Sequence, residues 1–357
     1  MTTMNQKLLS LSVLPAIVIL LLASCGGQSK KKPVTADTIA LAPCPRFQAD
    51  SAMLYIHEQC SFGPRVTGSD AAQRCGDYIA ERFKAFGAEV EEQTGDVTVW
   101  DGSKLPARNI IARIPPRSAT DGDSASADGQ TASAPNRILL CAHWDSRPWA
   151  DNDPDEANHH SPILAANDGA SGVAVLLEIC RLLQQQPPSV GIDMVCFDAE
   201  DMGTPEWAED RIGSSDTWCL GSRLWAERAK AEGYKARYGI LLDMVGGRGA
   251  TFAREGISQE LAQHVVGRVW QLAGQLGYRQ FFPLTDGGHI TDDHINVNLI
   301  AHVPCIDIIP YYREGPSSFG PTWHTIDDTP DNIDPNVLDA VGQTITQLIY
   351  NESTQDQ

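Results

Sequence analysis

Short apolar segments alternate with longer segments of helical character over most of the sequence, and this alternation is the feature that most constrains the fold. Apolar runs predict strands at 137–142, 190–197, 238–245 and 299–309. The segments between and after them predict helices at 169–186, 221–232, 259–276 and 336–350. Because strands and helices that alternate in this way form a mostly parallel sheet sandwiched by helices, we predict an α/β fold.

The residues before this region have a different pattern. Residues 50–86 have helical character, interrupted by a turn-like sequence at 63–68. Two further segments predict a pair of strands, 97–100 and 109–114. Residues 117–136 are rich in Ser, Ala, Asp and Gly and have no apolar period, which is typical of a mobile surface insertion. We expect residues 41–357 to form a single α/β domain that contains this insertion.

The N-terminus has the pattern of an export signal. Lys7 precedes an uncharged apolar run that ends in Leu22-Ala23-Ser24-Cys25. This order predicts a lipoprotein signal peptide at residues 1–24, with Cys25 as the lipidated residue and 25–40 as a flexible tether. The alternative is an N-terminal membrane anchor, although the run is near the short limit for a spanning helix. We therefore expect an exported protein, lipid-anchored in the bacterial cell envelope and facing the periplasm.

The charge balance limits the classes of partner. The formal net charge of the whole chain is −19. Binding to nucleic acid requires a cationic surface, so we expect no nucleic-acid partner. An acidic surface favours a cationic amine as substrate at the mouth of a site. We expect a monomer.

Candidate functional side chains follow the predicted strands. His143 and Asp145 follow one strand, Glu200 and Asp201 follow the next, and Asp243 lies at the end of a third. In sheets of this kind the active site lies beyond the carboxyl ends of the strands, which predicts that these side chains meet.

One histidine and two carboxylates could complete a zinc site. Zinc in catalytic sites binds three protein ligands and keeps a fourth position open, and Asp168, Asp201 and His324 supply such a set. Glu200 would then be free to transfer protons, since an apolar pocket raises a carboxyl pKa while a cation lowers it. Other interpretations are that Asn167 or Asp168 caps a helix and that Glu200-Asp201 is a solvated turn.

Several motifs together resemble those of a known family. In order along the chain they are His143-Trp144-Asp145-Ser146, Asn167-Asp168-Gly169, Phe197-Asp198-Ala199-Glu200-Asp201, Leu242-Asp243, Asp292-Asp293-His294 and Trp323-His324-Thr325. From about Asp50 to the C-terminus the sequence resembles the M28 zinc aminopeptidase superfamily. Within that superfamily it is most similar to the animal-type glutaminyl-peptide cyclotransferases and their bacterial relatives. The resemblance implies a zinc-aminopeptidase-like fold of the phosphorylase/hydrolase-like type.

The resemblance also implies roles for particular residues. It implies one zinc ion per chain, bound by Asp168, Asp201 and His324. Glu200 would transfer the proton, with Asp243 and Asp292 as hydrogen-bonding carboxylates behind it. The aromatic walls of the substrate pocket would be Trp207, Phe319 and Trp323, whereas Trp218 and Trp225 would be structural. The implied reaction converts an N-terminal Gln of a peptide or protein to pyroglutamate and releases ammonia.

The sequence departs from the family pattern at three places. Asp201 is shorter than the Glu common at this position, and Asp307 replaces a His of the animal cyclases. The acidic segment 151–156, with His159 and His160 after it, has no clear counterpart. It could bind a second cation such as calcium, or it could be a solvated acidic loop.

Two other functions are consistent with parts of this pattern. In a two-zinc aminopeptidase, His143 and Asp243 would complete a second metal site and Asp168 would bridge the two ions. His143, Asp145 and Asp307 are therefore candidates for a second metal site or for positions behind the ligands. The other alternative is a non-catalytic surface lipoprotein that binds a ligand, against which the complete ligand set and Glu200 argue.

Overall fold

The computed structural model describes residues 39–117, 136–208 and 217–355. These residues contain a six-stranded mixed sheet. The strands are β1 (Glu89–Thr98), β2 (Lys104–Ile114), β3 (Arg137–His143), β4 (Gly191–Phe197), β5 (Gly239–Leu242) and β6 (Cys305–Ile308). The helices are α1 (Ala49–Ser61), α2 (Asp70–Ala85), α3 (Ala170–Gln185), α4 (Leu220–Ala231), α5 (Gly256–Gln275), α6 (His294–Leu299) and α7 (Pro335–Gln355).

Some predicted segments lie outside these residues. They are the signal peptide, Cys25, nearly all of the tether at 25–40, and all but the ends of the insertion at 117–136. Within the described part of the chain, no helix combines the length and the apolar character needed to cross a membrane.

The strand order confirms the predicted α/β class. The order is β1-β2-β4-β3-β5-β6, and β4, β3, β5 and β6 are mutually parallel. β1 and β2 form a hairpin in which the two strands are antiparallel, and β2 is antiparallel to β4. A short connection permits only antiparallel pairing, whereas the parallel strands are connected through segments that contain helices. The carboxyl ends of β3 to β6 therefore lie along one edge of the sheet.

The two faces of the sheet are covered by different helices. Successive residues of a strand point to opposite faces, so Leu140 of β3 packs in one core and its neighbours Leu139 and Cys141 in another. The core around Leu140 contains residues of α1, α2, α3, α5 and α7. The core around Leu139 contains residues of α4 and α6. This arrangement is the predicted sandwich of a sheet between helical layers.

One predicted strand is much shorter than expected. The apolar run at 299–309 contains only β6, and its first residue ends α6. The side chain of Asn298 accepts a hydrogen bond from the Cys305 amide at 3.0 Å and donates one to the Cys305 carbonyl at 2.8 Å. His302 between them has a left-handed φ of 58°. The apolar residues between α6 and β6 form a turn and an irregular segment instead of extending the strand, and an apolar run alone does not reveal this.

Gly172 allows α3 to approach the ends of the strands. A Cβ atom on this residue would lie 2.2 Å from the carbonyl oxygen of Leu242 and 2.8 Å from the Cβ of Ala142. α3 begins directly after Asp168 and Gly169, so this close approach brings Asp168 to the carboxyl ends of β3 and β5.

We predict that Gly172→Ala destabilises the protein, although Ala is normally the better helix residue. Steric overlap with the Leu242 carbonyl should lower the free energy of unfolding by about 1–3 kcal/mol. Gly267→Ala in α5 is the matched control, because a Cβ there meets nothing within 4 Å. The control should be stabilised by about 0.5–1 kcal/mol. Urea denaturation of both variants measures the difference, and equal stability of the two would contradict the packing argument.

Candidate active site

A cavity of about 450 Å³ opens at the carboxyl edge of the sheet. The predicted site residues that line it are Asp168, Glu200, Asp201, Asp243, Asp292, Phe319, Trp323 and His324. Residues not predicted also line it, and these are Trp218, Met244, His289, Ile290, Thr291, Ile309 and Ser318. The structure therefore brings together side chains that come from several segments far apart in the sequence.

Asp168, Asp201 and His324 form a buried group with the geometry of a metal site. The Nε2 atom of His324 lies 3.1 Å from Asp201 Oδ1 and 3.6 Å from Asp168 Oδ2. Both carboxylate oxygens of Asp201, and Oδ2 of Asp168, accept no hydrogen bond from the described residues. Burial and the nearby charge of Asp201 raise the pKa of Asp168 to about 6. A bound cation would pair with these oxygens and relieve the repulsion between the carboxylates of Asp168 and Asp201. The set therefore fits zinc.

His143 forms a second group around the same Asp168. Its Nε2 atom lies 3.0 Å from Asp168 Oδ1 and 3.1 Å from Asp243 Oδ1. Asp168 thus lies between two histidines, as a bridging ligand in a two-metal site would. The contact with Asp243 is a hydrogen bond, so in this group the Nε2 atom of His143 already has a protein partner.

Asp328 fixes the backbone of the first ligand. Its carboxylate accepts hydrogen bonds from the amides of Asn167 at 2.7 Å and of Asp168 at 3.0 Å. The helix-capping alternative is wrong, because the N-cap of α3 is Gly169 and no side chain caps it. The side-chain oxygen of Asn167 instead accepts from the amide of Gly246 at 2.9 Å. The Asp168 carboxylate is therefore free to face the cavity.

Asp145 holds the segment that carries Glu200 and Asp201. Its two carboxylate oxygens each accept one backbone amide, from Glu200 and from Asp201, both at 3.1 Å. Its Oδ1 atom is also 3.4 Å from Nδ1 of His143. Asp145 is absent from both metal-binding groups. The sequence offers two positions for Asp145, in a second metal site or behind the ligands. The structure supports the position behind the proposed ligands. The interpretation of Glu200-Asp201 as a solvated turn is wrong, since Asp201 is buried.

Glu200 reaches the cavity next to this ligand group. Its carboxylate lies with the thiol of Cys219 and the carboxylate of Asp292 in a group whose potential ligand atoms are within 4.8 Å of one another. The Cys219 thiol donates to Glu200 Oε1 at 3.1 Å. Burial, together with the charges of Asp201 and Asp292, raises the pKa of Glu200 well above its usual value. A carboxyl group with a raised pKa can both accept and return a proton near neutral pH.

Asp307 lies behind Asp292, in a buried group with His294. Its Oδ2 atom is 3.9 Å from Nδ1 of His294, and its backbone amide donates to the hydroxyl of Ser258. Asp307 does not belong to either group that contains Asp168. Burial and the charge of Asp292 raise the pKa of Asp307.

Two of the three predicted aromatic residues form cavity walls. The ring of Trp323 stacks on His324 at 3.8 Å between centroids and contacts Phe319 at 4.7 Å. The prediction that Trp207 forms a wall is wrong, because Trp207 does not line the cavity. It is 36% exposed and packs edge-to-face on Trp149 at 5.6 Å.

Trp218, which the sequence indicated to be structural, is the missed wall of the cavity. Its ring lies parallel to the imidazole of His324 at 6.0 Å. The backbone of Gly203 makes room for it, since a Cβ there would lie 1.8 Å from the Trp218 ring. Trp225 is structural as expected, buried between Phe197 and Tyr234.

The acidic segment 151–156 contributes no cation-binding group among the described residues. Its buried carboxylates have protein partners instead. Asp151 pairs with Arg147, and Asp153 accepts the amides of Asp155 and Ile326. The solvated-loop alternative is also wrong for these two residues, because both are buried.

Comparison with known proteins agrees with this geometry. The model of peptidase family M28 matches residues 125–349, and the chain belongs to this family. A glutaminyl cyclase from Bacteroides thetaiotaomicron, solved with N-acetylhistamine, is 48% identical with a TM-score of 0.79, covering 87% of this chain and 99% of that one. A structure of a leucine aminopeptidase precursor from the same organism is also 48% identical, with a TM-score of 0.78 and the same coverage.

A third similar structure is the glutaminyl cyclase of Tannerella forsythia. It is 48% identical with a TM-score of 0.78, covering 86% of this chain and 99% of that one. Among curated proteins, YfbL of Escherichia coli is 36% identical over 146 residues, which are 41% of this chain. The matched segment spans about a third of that relative, 36% of its length. Membership of the family and the buried ligand groups support the use of zinc.

Proposed function

We propose that the protein is a zinc-dependent glutaminyl-peptide cyclotransferase. The observation that carries this proposal is the position of Glu200 beside the group Asp168, Asp201 and His324, in a cavity walled by Trp218 and Trp323. The similarity to solved glutaminyl cyclases over nearly their whole length supports it. The substrates would be peptides or proteins that begin with Gln, and the products pyroglutamyl chains and ammonia.

The cavity has the size and charge that this substrate requires. At about 450 Å³ it is larger than one side chain and within the range of small-molecule sites, so it has room for the N-terminal Gln of a peptide. The carboxylate of Asp243 in its lining attracts the cationic α-ammonium of the substrate, which gives up one proton to solvent before its nitrogen can attack. That amine and the γ-carbonyl belong to one residue, so ring closure benefits from the proximity of the two reacting groups.

Glu200 would transfer the proton in this reaction. When bound by Asp168, Asp201 and His324, zinc supplies Lewis-acid polarisation of the γ-carbonyl. Glu200 accepts the proton released as the α-amine nitrogen forms its bond to the γ-carbon. It returns that proton to the amide nitrogen, which leaves as ammonia when the carbon–nitrogen bond breaks. Asp292, whose carboxylate lies within 4.8 Å of that of Glu200, would accept a hydrogen bond from the proton-carrying form of Glu200.

We infer that one zinc is bound in each chain. Within the two groups that contain Asp168, the buried carboxylate oxygens without a hydrogen bond belong to Asp201 and to the side of Asp168 that faces His324. The other side of Asp168 lies against His143, whose Nε2 atom is hydrogen-bonded to Asp243. A second zinc would have to displace this hydrogen bond. The rival function, a two-zinc aminopeptidase, needs that displacement.

The reaction is tested directly by mass spectrometry. A peptide that begins with Gln should lose about 17 mass units, the ammonia released on ring closure. The same peptide with Ala in place of the N-terminal Gln should remain unchanged. Metal analysis of the same preparation should give one zinc per chain. Release of the N-terminal residue together with two zinc ions per chain would establish the aminopeptidase instead, and an unchanged Gln peptide would exclude the cyclase.

We predict that Glu200→Gln nearly abolishes turnover and leaves zinc bound. The amide is similar in size but cannot carry the proton, so kcat should fall about 100- to 10,000-fold. Cys219→Ala is an informative comparison, because it removes only the thiol that contacts Glu200 and should retain more activity. Kinetics and metal content measured on the same samples check this. A Glu200→Gln enzyme of near-normal rate would remove the proton-transfer role.

We propose that the protein is exported and anchored to the membrane by lipid at Cys25. The support is the sequence order of Lys7, the apolar run and Cys25. Cys25→Ser should leave the protein unmodified and uncleaved when it is expressed in a bacterium that processes lipoproteins. Radiolabelled fatty acid should label the wild type alone, and equal labelling of both proteins would contradict the assignment.

A further inference from the structure

The segment 147–153 contacts two zinc ligands that lie on different parts of the chain. We propose that Arg147 and Asp151 are positioning residues that fix His324 and Asp201 for metal binding. This inference rests on the zinc ligand set proposed above. Neither residue lines the cavity, and both are buried, with 1% and 5% relative exposure.

The carboxylate of Asp151 lies behind the imidazole of His324, on the side away from the other proposed ligands. Its Oδ1 atom lies 3.5 Å from His324 Nδ1, while His324 Nε2 faces Asp168 and Asp201. A carboxylate at the second nitrogen of a metal-binding histidine fixes the ring orientation and makes the ligand nitrogen more basic. His324 therefore has the two opposed contacts that a well-oriented ligand needs.

The neighbours of Asp151 hold the backbone of the same histidine. His324 has φ of 53°, a left-handed conformation that is costly for a residue with a Cβ. The amide of Asn152 donates to the His324 carbonyl at 3.1 Å. The carboxylate of Asp153 accepts the amide of Ile326 at 3.0 Å. Three consecutive residues thus contact the His324 segment, which stabilises the strained backbone.

Arg147 connects this contact to the other ligand. Its guanidinium donates to both oxygens of Asp151, from Nε at 2.7 Å and from the terminal nitrogen at 2.5 Å. It also donates to the carbonyl of Asp201 at 3.1 Å and lies 3.5 Å from Asp201 Oδ1. The same group lies 4.7 Å from the centroid of Trp218, a wall of the cavity. The buried guanidinium of Arg147 therefore links the segment of Asp201 to the residues that contact His324.

The experiment measures zinc affinity rather than turnover. Asp151→Asn retains an oxygen for Arg147 but removes the charge that faces His324. Its zinc Kd, measured by competition with a chelator, should rise about 10- to 100-fold. Glu156→Gln removes a carboxylate charge from the same segment at an exposed position and should leave the Kd unchanged. Equal Kd values for the two variants would overturn the proposal.

A second variant separates positioning from simple stabilisation. Removing one member of a buried ion pair leaves the other uncompensated, so Asp151→Asn could fail to fold. In the double variant Arg147→Met/Asp151→Leu both charges are absent, and the metal-free protein should remain folded by circular dichroism. Its zinc Kd should still rise as in the single variant, and a wild-type Kd would overturn the proposal. A wild-type protein that binds no zinc would instead contradict the ligand set itself.

Discussion

The site depends on buried negative charge at the carboxyl edge of the sheet. Asp168, Glu200 and Asp292 line the same cavity there, and burial with the charges of neighbouring carboxylates raises the pKa of each. Carboxylates that lose their hydration are stable only with protons, hydrogen-bond donors or cations nearby. The fold supplies part of this compensation through the buried guanidinium of Arg147 and through backbone amides directed at Asp145. A bound metal ion would provide the rest of the compensation for this buried negative charge.

The scaffold makes this concentration of charge sterically possible. Because β3 to β6 are parallel, the segments after them leave the sheet on the same edge. The contact of Gly172 with the end of β5 brings α3 close enough for Asp168 to join them. The backbone amide of each proposed carboxylate ligand is bound by another acid, which is Asp328 for Asp168 and Asp145 for Asp201. The architecture thus separates the carboxylates that bind from those that position.

The sequence predicts the parts that depend on local pattern. Apolar periodicity locates α3 and β4 to within one residue, and the ends of predicted strands indicate where the functional carboxylates meet. Contacts across long separations are not predictable in this way. Asp328 lies 160 residues from the amide of Asp168, and no local pattern marks the pair. For the same reason, the sequence predicts Trp207 and not Trp218 as a wall of the cavity. A sequence gives the side chain but not the direction in which it points.

The aromatic walls, rather than the ligands, distinguish the two reactions available to this family fold. Hydrolysis of a peptide requires a water molecule as nucleophile, whereas cyclisation uses the amine of the substrate itself. Trp323 and Trp218 both stack on His324, so apolar surface replaces part of the solvent beside the proposed ligand group. Excluding water prevents hydrolysis and strengthens the interaction between Glu200 and the attacking amine. The same walls offer flat apolar surfaces against which the side chain of a substrate glutamine would lie beside the proposed zinc ligands.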